Sequence, residues 1–345
     1  MRIALVACLF LCSSSIVSAD PAPHYQLAHK FVLGGDGGWD ALTYDPAGKR
    51  LFISRATRVM VMDVEKGALL GEIPDTAGVH DIALAPELGK GYTSNGKDNT
   101  VTVFDLKTLK SLTRINVSGQ NPDAIVYEPA TKRVFAFDGH SNDATVIDAT
   151  NDKVTATIPF DGNPEFAVAD GEGRVYVNIE DKSEVSLIDA RSAKVIKTWS
   201  IAPCDGPSGI GLDANHHRVF SGCHNKLMAV SDAETGKVVA TLPIGEGVDG
   251  AGFDPGTGYA FSSNGGDGTL TVIHEDAPDK YSVVENAATQ KFARTMTLNP
   301  DNHDVYLLTA EVHVTPAPAG ATGQAARPKR DVLPGTFAVL VMHRQ

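Results

Sequence analysis

The chain has 345 residues, with 30 basic against 42 acidic side chains and a formal net charge of −12. That balance repels phosphate backbones and disfavours nucleic acid as a partner; the densest basic group, "RPKR" at 327–330, sits in an Ala/Pro-rich stretch that reads as a solvated loop. Beyond the N-terminal leader no stretch approaches the roughly 18 apolar residues that a membrane helix needs, so no membrane span is expected.

The first element is a leader. Arg2, the apolar run "IALVACLFLC" and the small-residue site Val17-Ser18-Ala19 read as a secretory signal peptide over 1–19, with the mature chain from Asp20 onwards. The expected location is therefore the periplasm or the exterior. Cys8 and Cys12 leave with the leader, and the remaining two, Cys204 and Cys223, are expected to pair in that oxidising compartment.

From Tyr25 onwards one pattern recurs. Seven segments combine a tight turn with an apolar strand: "YDPAGKRLFIS", "LAPELGKGYTS", "YEPATKRVFAF", "ADGEGRVYVN", "LDANHHRVFSG", "FDPGTGYAFSS" and "LNPDNHDVYLL". Their equivalent turn positions, Asp45, Ala85, Glu128, Asp170, Asp213, Asp254 and Asn299, are 40 to 45 residues apart. Each is followed by a polar loop and an alternating strand such as "TVTVFD" or "EVSLID", then usually by a turn and a further strand such as "VVATLPI". Period-2 strands with turns every 8 to 12 residues mean all-β structure, and four strands per unit of this length is the blade of a β-propeller.

The expected fold is thus a single seven-bladed propeller of four-stranded antiparallel blades spanning 20–345. The last unit ends at "AVLVMHRQ" with only three strands, and "HYQLAHKFVLGG" near the N terminus supplies the missing one, so residues 25–33 should close the ring and remove an open strand edge. The innermost strands, among them "GIGL" at 209–212 and "GAGF" at 250–253, alternate small with large, as a crowded axis requires. The segment "TPAPAGATGQAARPKRDVLPG" at 315–335 reads as a flexible insertion over one face of the last blade.

At this level the residues carry a resemblance. "GYTSNGKDNTVTVFD" at 91–105 and "RVYVNIEDKSEVSLID" at 174–189 resemble the YVTN repeat of the YncE-like seven-bladed propellers, a family that includes exported proteins of unsettled function. The resemblance covers essentially the whole mature chain and implies fold more than activity. The pattern's Asn gives way to Asp138, to "GCHN" at 222–225 and to "TAEVHV" at 309–314, so function is expected in the loops after those strands.

Propellers bind ligands on the face formed by the loops that enter the innermost strands. The residues just before those strands are Asp40, His80, Asp123, Glu165, Ser208, Asp249 and Arg294, with Trp39 beside the first. Carboxylates, an imidazole and a guanidinium around one funnel suit a divalent cation or a small polar ligand, and His140 and His224 fall on the same face. No local ligand spacing marks a transition-metal site, and metal occupancy is left open. Cys204 and Cys223 should both reach this face, where a disulfide would fix the loop carrying His224.

With no local catalytic signature, the leading reading is a non-enzymatic platform that binds a ligand, a cation or another protein, expected as a monomer. The alternative is a hydrolase resembling propeller lactonases, with Arg294 polarising a carbonyl and His80 or Glu165 activating water. A quinone cofactor is disfavoured, because a Trp-docking motif is hinted at only in "DARSAKVIKTW" at 189–199.

Overall fold

The computed structural model describes residues 24–277, 279–317 and 328–345. The leader at 1–19 and the middle of the insertion lie outside the described residues. Seven four-stranded antiparallel sheets follow one another around a ring, and a further two-stranded ladder stands apart.

Blade 1 comprises Leu42–Asp45, Arg50–Arg55, Arg58–Asp63 and Leu69–Ile73, from axis to rim. Blades 2 to 6 repeat that order, with innermost strands Val79–Ala85, Pro122–Glu128, Pro164–Ala169, Pro207–Asp213 and Val248–Asp254. Blade 7 is composite: Met296–Leu298, Val305–Thr309 and Ala338–Arg344 are completed by Tyr25–Val32 from the other end of the chain. The closing strand pairs in the expected sense, from Tyr25 opposite Arg344 to Val32 opposite Ala338. Leu33 and Gly34 extend the seam by both donating N–H to the Phe337 carbonyl.

The turn chemistry explains why the sequence repeats. At the end of an innermost strand an acidic or amide side chain accepts backbone N–H groups two or three residues on, as Glu128 does from Ala130 and Thr131 at 3.0 and 2.8 Å. The residue just before the second strand then adopts a left-handed φ, at Lys49, Gly89, Lys132, Gly173, His217 and Gly258, and in blade 7 the left-handed residue is His303, two before Val305. Glycine fills three of those places because it alone adopts that φ without strain. The Asp ending the third strand caps the next turn in the same way, as Asp232 does for Glu234 and Thr235.

The basic residue that opens the second strand ties one blade to the next. Arg50 reaches the Leu106 carbonyl at 2.9 Å, Arg133 the Ala190 carbonyl at 2.7 Å, and Lys90 the Asp152 carboxylate at 2.7 Å. Between blades lie apolar clusters, such as Tyr92, Val101, Ile125 and Val134 between blades 2 and 3. A single blade would leave both faces wet, so the stack is stable only as a ring.

At the axis the small residues are obligatory where blades 5 and 6 meet: a Cβ on Gly209 would lie 2.4 Å from the Ala251 nitrogen. Cys204 and Cys223 form the expected disulfide, their Cα atoms 5.7 Å apart. The described ends of the insertion are ordered, because Val312–Thr315 pairs antiparallel with Lys329–Val332.

Candidate functional site

In blades 2 to 6 the register of the innermost strand slips near its start, between Val79 and Ile82, Pro122 and Ile125, Pro164 and Ala167, Pro207 and Ile210, and Val248 and Gly250. Such bulges re-aim the residues they contain. The candidates His80, Asp123, Glu165, Ser208 and Asp249 lie at these slips, one blade apart around the ring.

The side chains connect. Asp40 contacts His80 Nδ1 through Oδ2 at 2.7 Å and accepts from Arg294 Nη2 through Oδ1 at 3.1 Å. Arg294 Nη1 also meets Asp249 Oδ2 at 2.9 Å, and Ser208 donates to Asp249 Oδ1 at 2.7 Å. His80 Nδ1 lies 3.5 Å from Asp123 Oδ1, and Asp40, His80 and Asp123 each offer a ligand atom within 4.8 Å of the others. Below this mouth a cavity of about 120 Å³ runs towards the axis, lined among others by Asp81, Phe166, Ile210, Asp249 and Met296.

Glu165 has no hydrogen bond or ion pair among the described residues. Burial, then the charges of Asp123, Glu180, Asp249 and Asp40, push its carboxyl up to about 9. Burial also raises Asp123 to about 6, against the pull of His80, and raises Asp249 against the pull of Arg294. For His80 burial works downward, but the hydrogen bond to Asp40 and the charges of Asp123, Asp40 and Asp81 outweigh it and lift the imidazole to about 9. Five carboxyls, from Asp40, Asp81, Asp123, Glu165 and Asp249, therefore share one mouth with two cationic groups.

Asp81 is absent from the sequence-derived set. In a regular strand it would face away from His80, but the slip between Val79 and Ile82 turns it toward the axis. There its oxygens accept from the Ile82 and Ile125 N–H groups at 2.7 and 3.2 Å, and burial raises it to about 7 despite those bonds.

Other expected residues stand apart. Trp39 packs against Phe337, ring centres 5.5 Å apart, and its buried indole N–H has no protein partner. His140 is exposed outside the connected set. His224 sits 3.5 Å from Glu180, next to the disulfide that holds its loop.

Two further features follow the sites where the repeat loses its Asn. In blades 2 and 6, Asn95 and Asn264 each donate to two threonine hydroxyls, at 2.9 and 3.1 Å. In blade 3 the same place holds Asp138, which accepts from Thr145 at 2.8 Å and faces Asp143 where the repeat has a threonine. Burial and the Asp143 contact push Asp138 up to about 8. In blade 1 the place holds Arg55, fully buried, whose guanidinium donates to the carbonyls of Gly34, Gly35, Asp36, Gly37 and Gly38 and stacks 3.9 Å from the Phe337 ring centre.

No known family pattern matches the chain. Among curated proteins, "Uncharacterized protein YncE" from Salmonella typhi and from Salmonella typhimurium are each 22% identical over 200 residues, covering 56% of this chain and 56% of the relative. The chain is a seven-bladed β-propeller with weak sequence similarity to YncE. The alignment spans just over half the length of the YncE proteins it matches, so activity is not carried across with it. Among solved structures, a chain of Kuenenia stuttgartiensis hydrazine synthase superposes with a TM-score of 0.69 at 18% identity, covering 86% of this chain and 95% of that one. The RRP9 WD40 repeats superpose with a TM-score of 0.73 at 10% identity, covering 93% of this YncE-like chain and 100% of theirs. These structural likenesses establish the propeller fold alone.

Proposed function

We propose that this chain is an exported YncE-like propeller that works as a binding platform, and that its funnel captures a divalent cation or a small cationic ligand. Export rests on the leader read at 1–19, and the periplasm or the exterior is the proposed location.

One observation carries the binding reading: Asp40, His80 and Asp123 each offer a ligand atom within 4.8 Å of the others, at a mouth that also holds Asp81, Glu165 and Asp249 and where, among the described residues, His80 and Arg294 are the cationic groups paired with these carboxylates. An arriving cation would replace the protons and relieve the repulsion. Asp40, His80 and Asp123 supply the converging ligand atoms, and an imidazole among them favours a transition ion over calcium.

Calorimetric titration with manganese(II) or zinc(II) of the chain carrying His216→Ala, which removes a separate histidine–carboxylate cluster on the opposite face, in two buffers of different ionisation enthalpy, tests this. Binding with net proton release, lost in Asp123→Asn/Asp249→Asn, supports it. Heat independent of buffer, or unchanged in the double variant, overturns it.

The hydrolase alternative receives less support, because it needs a base. His80 holds its proton up to about 9, and Glu165 does the same. Both shifts work against either group as a base.

A further inference from the structure

The face opposite the funnel carries a second convergence of unlike ligands. Asp213 ends the innermost strand of blade 5, His216 lies in the turn that follows, and Glu275 stands on the third strand of blade 6, Thr269–Ala277. His216 Nδ1 is 2.6 Å from Asp213 Oδ2 and 3.3 Å from Glu275 Oε2, and the three ligand atoms lie within 4.8 Å of one another.

We infer that Asp213, His216 and Glu275 form a surface site for a divalent transition ion of the zinc type, bridging blades 5 and 6. Three observations point to it. First, the two carboxylates are buried, with side chains 2% and 8% exposed, while the imidazole is 56% exposed and open to solvent. Buried carboxylates need a counter-charge, and among the described residues no lysine or arginine pairs with either. The neighbouring cation, Arg218, is taken up by Asp232 and Asp279 at 3.0 and 2.7 Å.

Second, the outer oxygens are already held. Asp213 Oδ1 accepts from the Asn215 and His216 N–H groups at 3.0 and 3.3 Å, and Glu275 Oε1 accepts from the Tyr281 hydroxyl at 3.3 Å. That leaves Oδ2 and Oε2 both directed at His216, the second-shell arrangement that orients ligands around a metal.

Third, the spacing is near that of an ion's ligands. Tetrahedral ligands about 2.1 Å from zinc stand roughly 3.4 Å from each other, close to the 3.3 Å Glu275–His216 separation, while the 2.6 Å Asp213–His216 contact must open as the exposed imidazole turns to the ion, and the exposed side leaves room for water as the fourth ligand. The other pairs on this face differ: His303 faces Asp254 alone and His343 faces Asp304 alone.

The site is separate from the funnel, so its test is run in the Asp123→Asn background to silence that face. Zinc(II) alone is titrated into the full chain by calorimetry and native mass spectrometry. The expected result is one zinc bound in the Asp123→Asn chain, lost with His216→Ala, and weakened roughly 10-fold with Tyr281→Phe, which keeps the ring packed but releases Glu275. His216 is exposed, so its replacement should leave the fold intact by circular dichroism. No zinc bound in the Asp123→Asn chain, or zinc retained with His216→Ala, would overturn the inference.

Discussion

Two sets of buried charge lie close together on the funnel face and are treated in opposite ways. The Arg55 guanidinium is wrapped by five backbone carbonyls from the loop 34–38 and covered by Phe337, leaving only Nε without a partner. The funnel carboxyls crowd one another and lean on one imidazole and one guanidinium. A charge met on nearly every side holds structure together, here the seam where the two chain ends meet. Charges left partly unmet are poised to receive something. On the proposed reading, the difference separates a residue of stability from residues of binding, although both look like polar side chains at strand ends.

The sharpest way to break this comparison is at Arg55. Arg55→Leu removes the donor that five carbonyls of the partly exposed loop 34–38 share and should cost about 3–5 kcal/mol in urea unfolding, with Arg55→Lys recovering little because an ammonium cannot span the loop. A loss near zero would mean that the cage is incidental. Next comes the disulfide: Cys204→Ser/Cys223→Ser opens a 19-residue separation and should cost about 2–4 kcal/mol, with higher protease sensitivity around His224.

The funnel itself predicts a pH dependence. Glu165 is raised from 4.5 to about 9 and His80 from 6.5 to about 9, so the folded state holds more protons than the unfolded chain over those intervals. Their stabilising contribution is present below the unfolded pKa of each group and is lost as pH climbs to about 9. Glu165→Gln should flatten the loss, raising the Tm at pH 9 by at least about 2 °C while changing little at pH 5. A steeper alkaline loss in that variant would contradict the assignment.

The smallest effect is expected in blade 3. Asp138→Asn restores the amide that blades 2 and 6 carry and removes a carboxyl raised to about 8, so it should stabilise by about 1 kcal/mol at pH 9 and by less at pH 6. Equal effects at both pH values would rule out the raised Asp138 carboxyl.

Much of this was legible in the sequence because every blade writes the same turn chemistry. Asp45, Glu128, Asp213 and Asp254 mark the inner turns, and counting from them places the funnel residues one per blade. What was not legible depended on departures from regular geometry. Asp81 lies beside His80 in sequence, and only a strand slip brings both to the mouth. Arg55 takes the repeat's Asn place in blade 1 without being singled out by the pattern, because its partners are carbonyls, which no side-chain pattern reports. The opposite-face cluster was hidden for another reason: Glu275 joins Asp213 and His216 across two blades, with no spacing to announce it.

The central claim is that the funnel's unmet carboxyls hold a cation. Native mass spectrometry of the purified chain tests it most directly, in a His216→Ala background, before and after chelation and with or without Asp123→Asn/Asp249→Asn. The account predicts one metal mass, removed by the chelator and absent from the variant carrying both asparagines. A bare mass in every sample, even after incubation with manganese(II) and zinc(II), would contradict it.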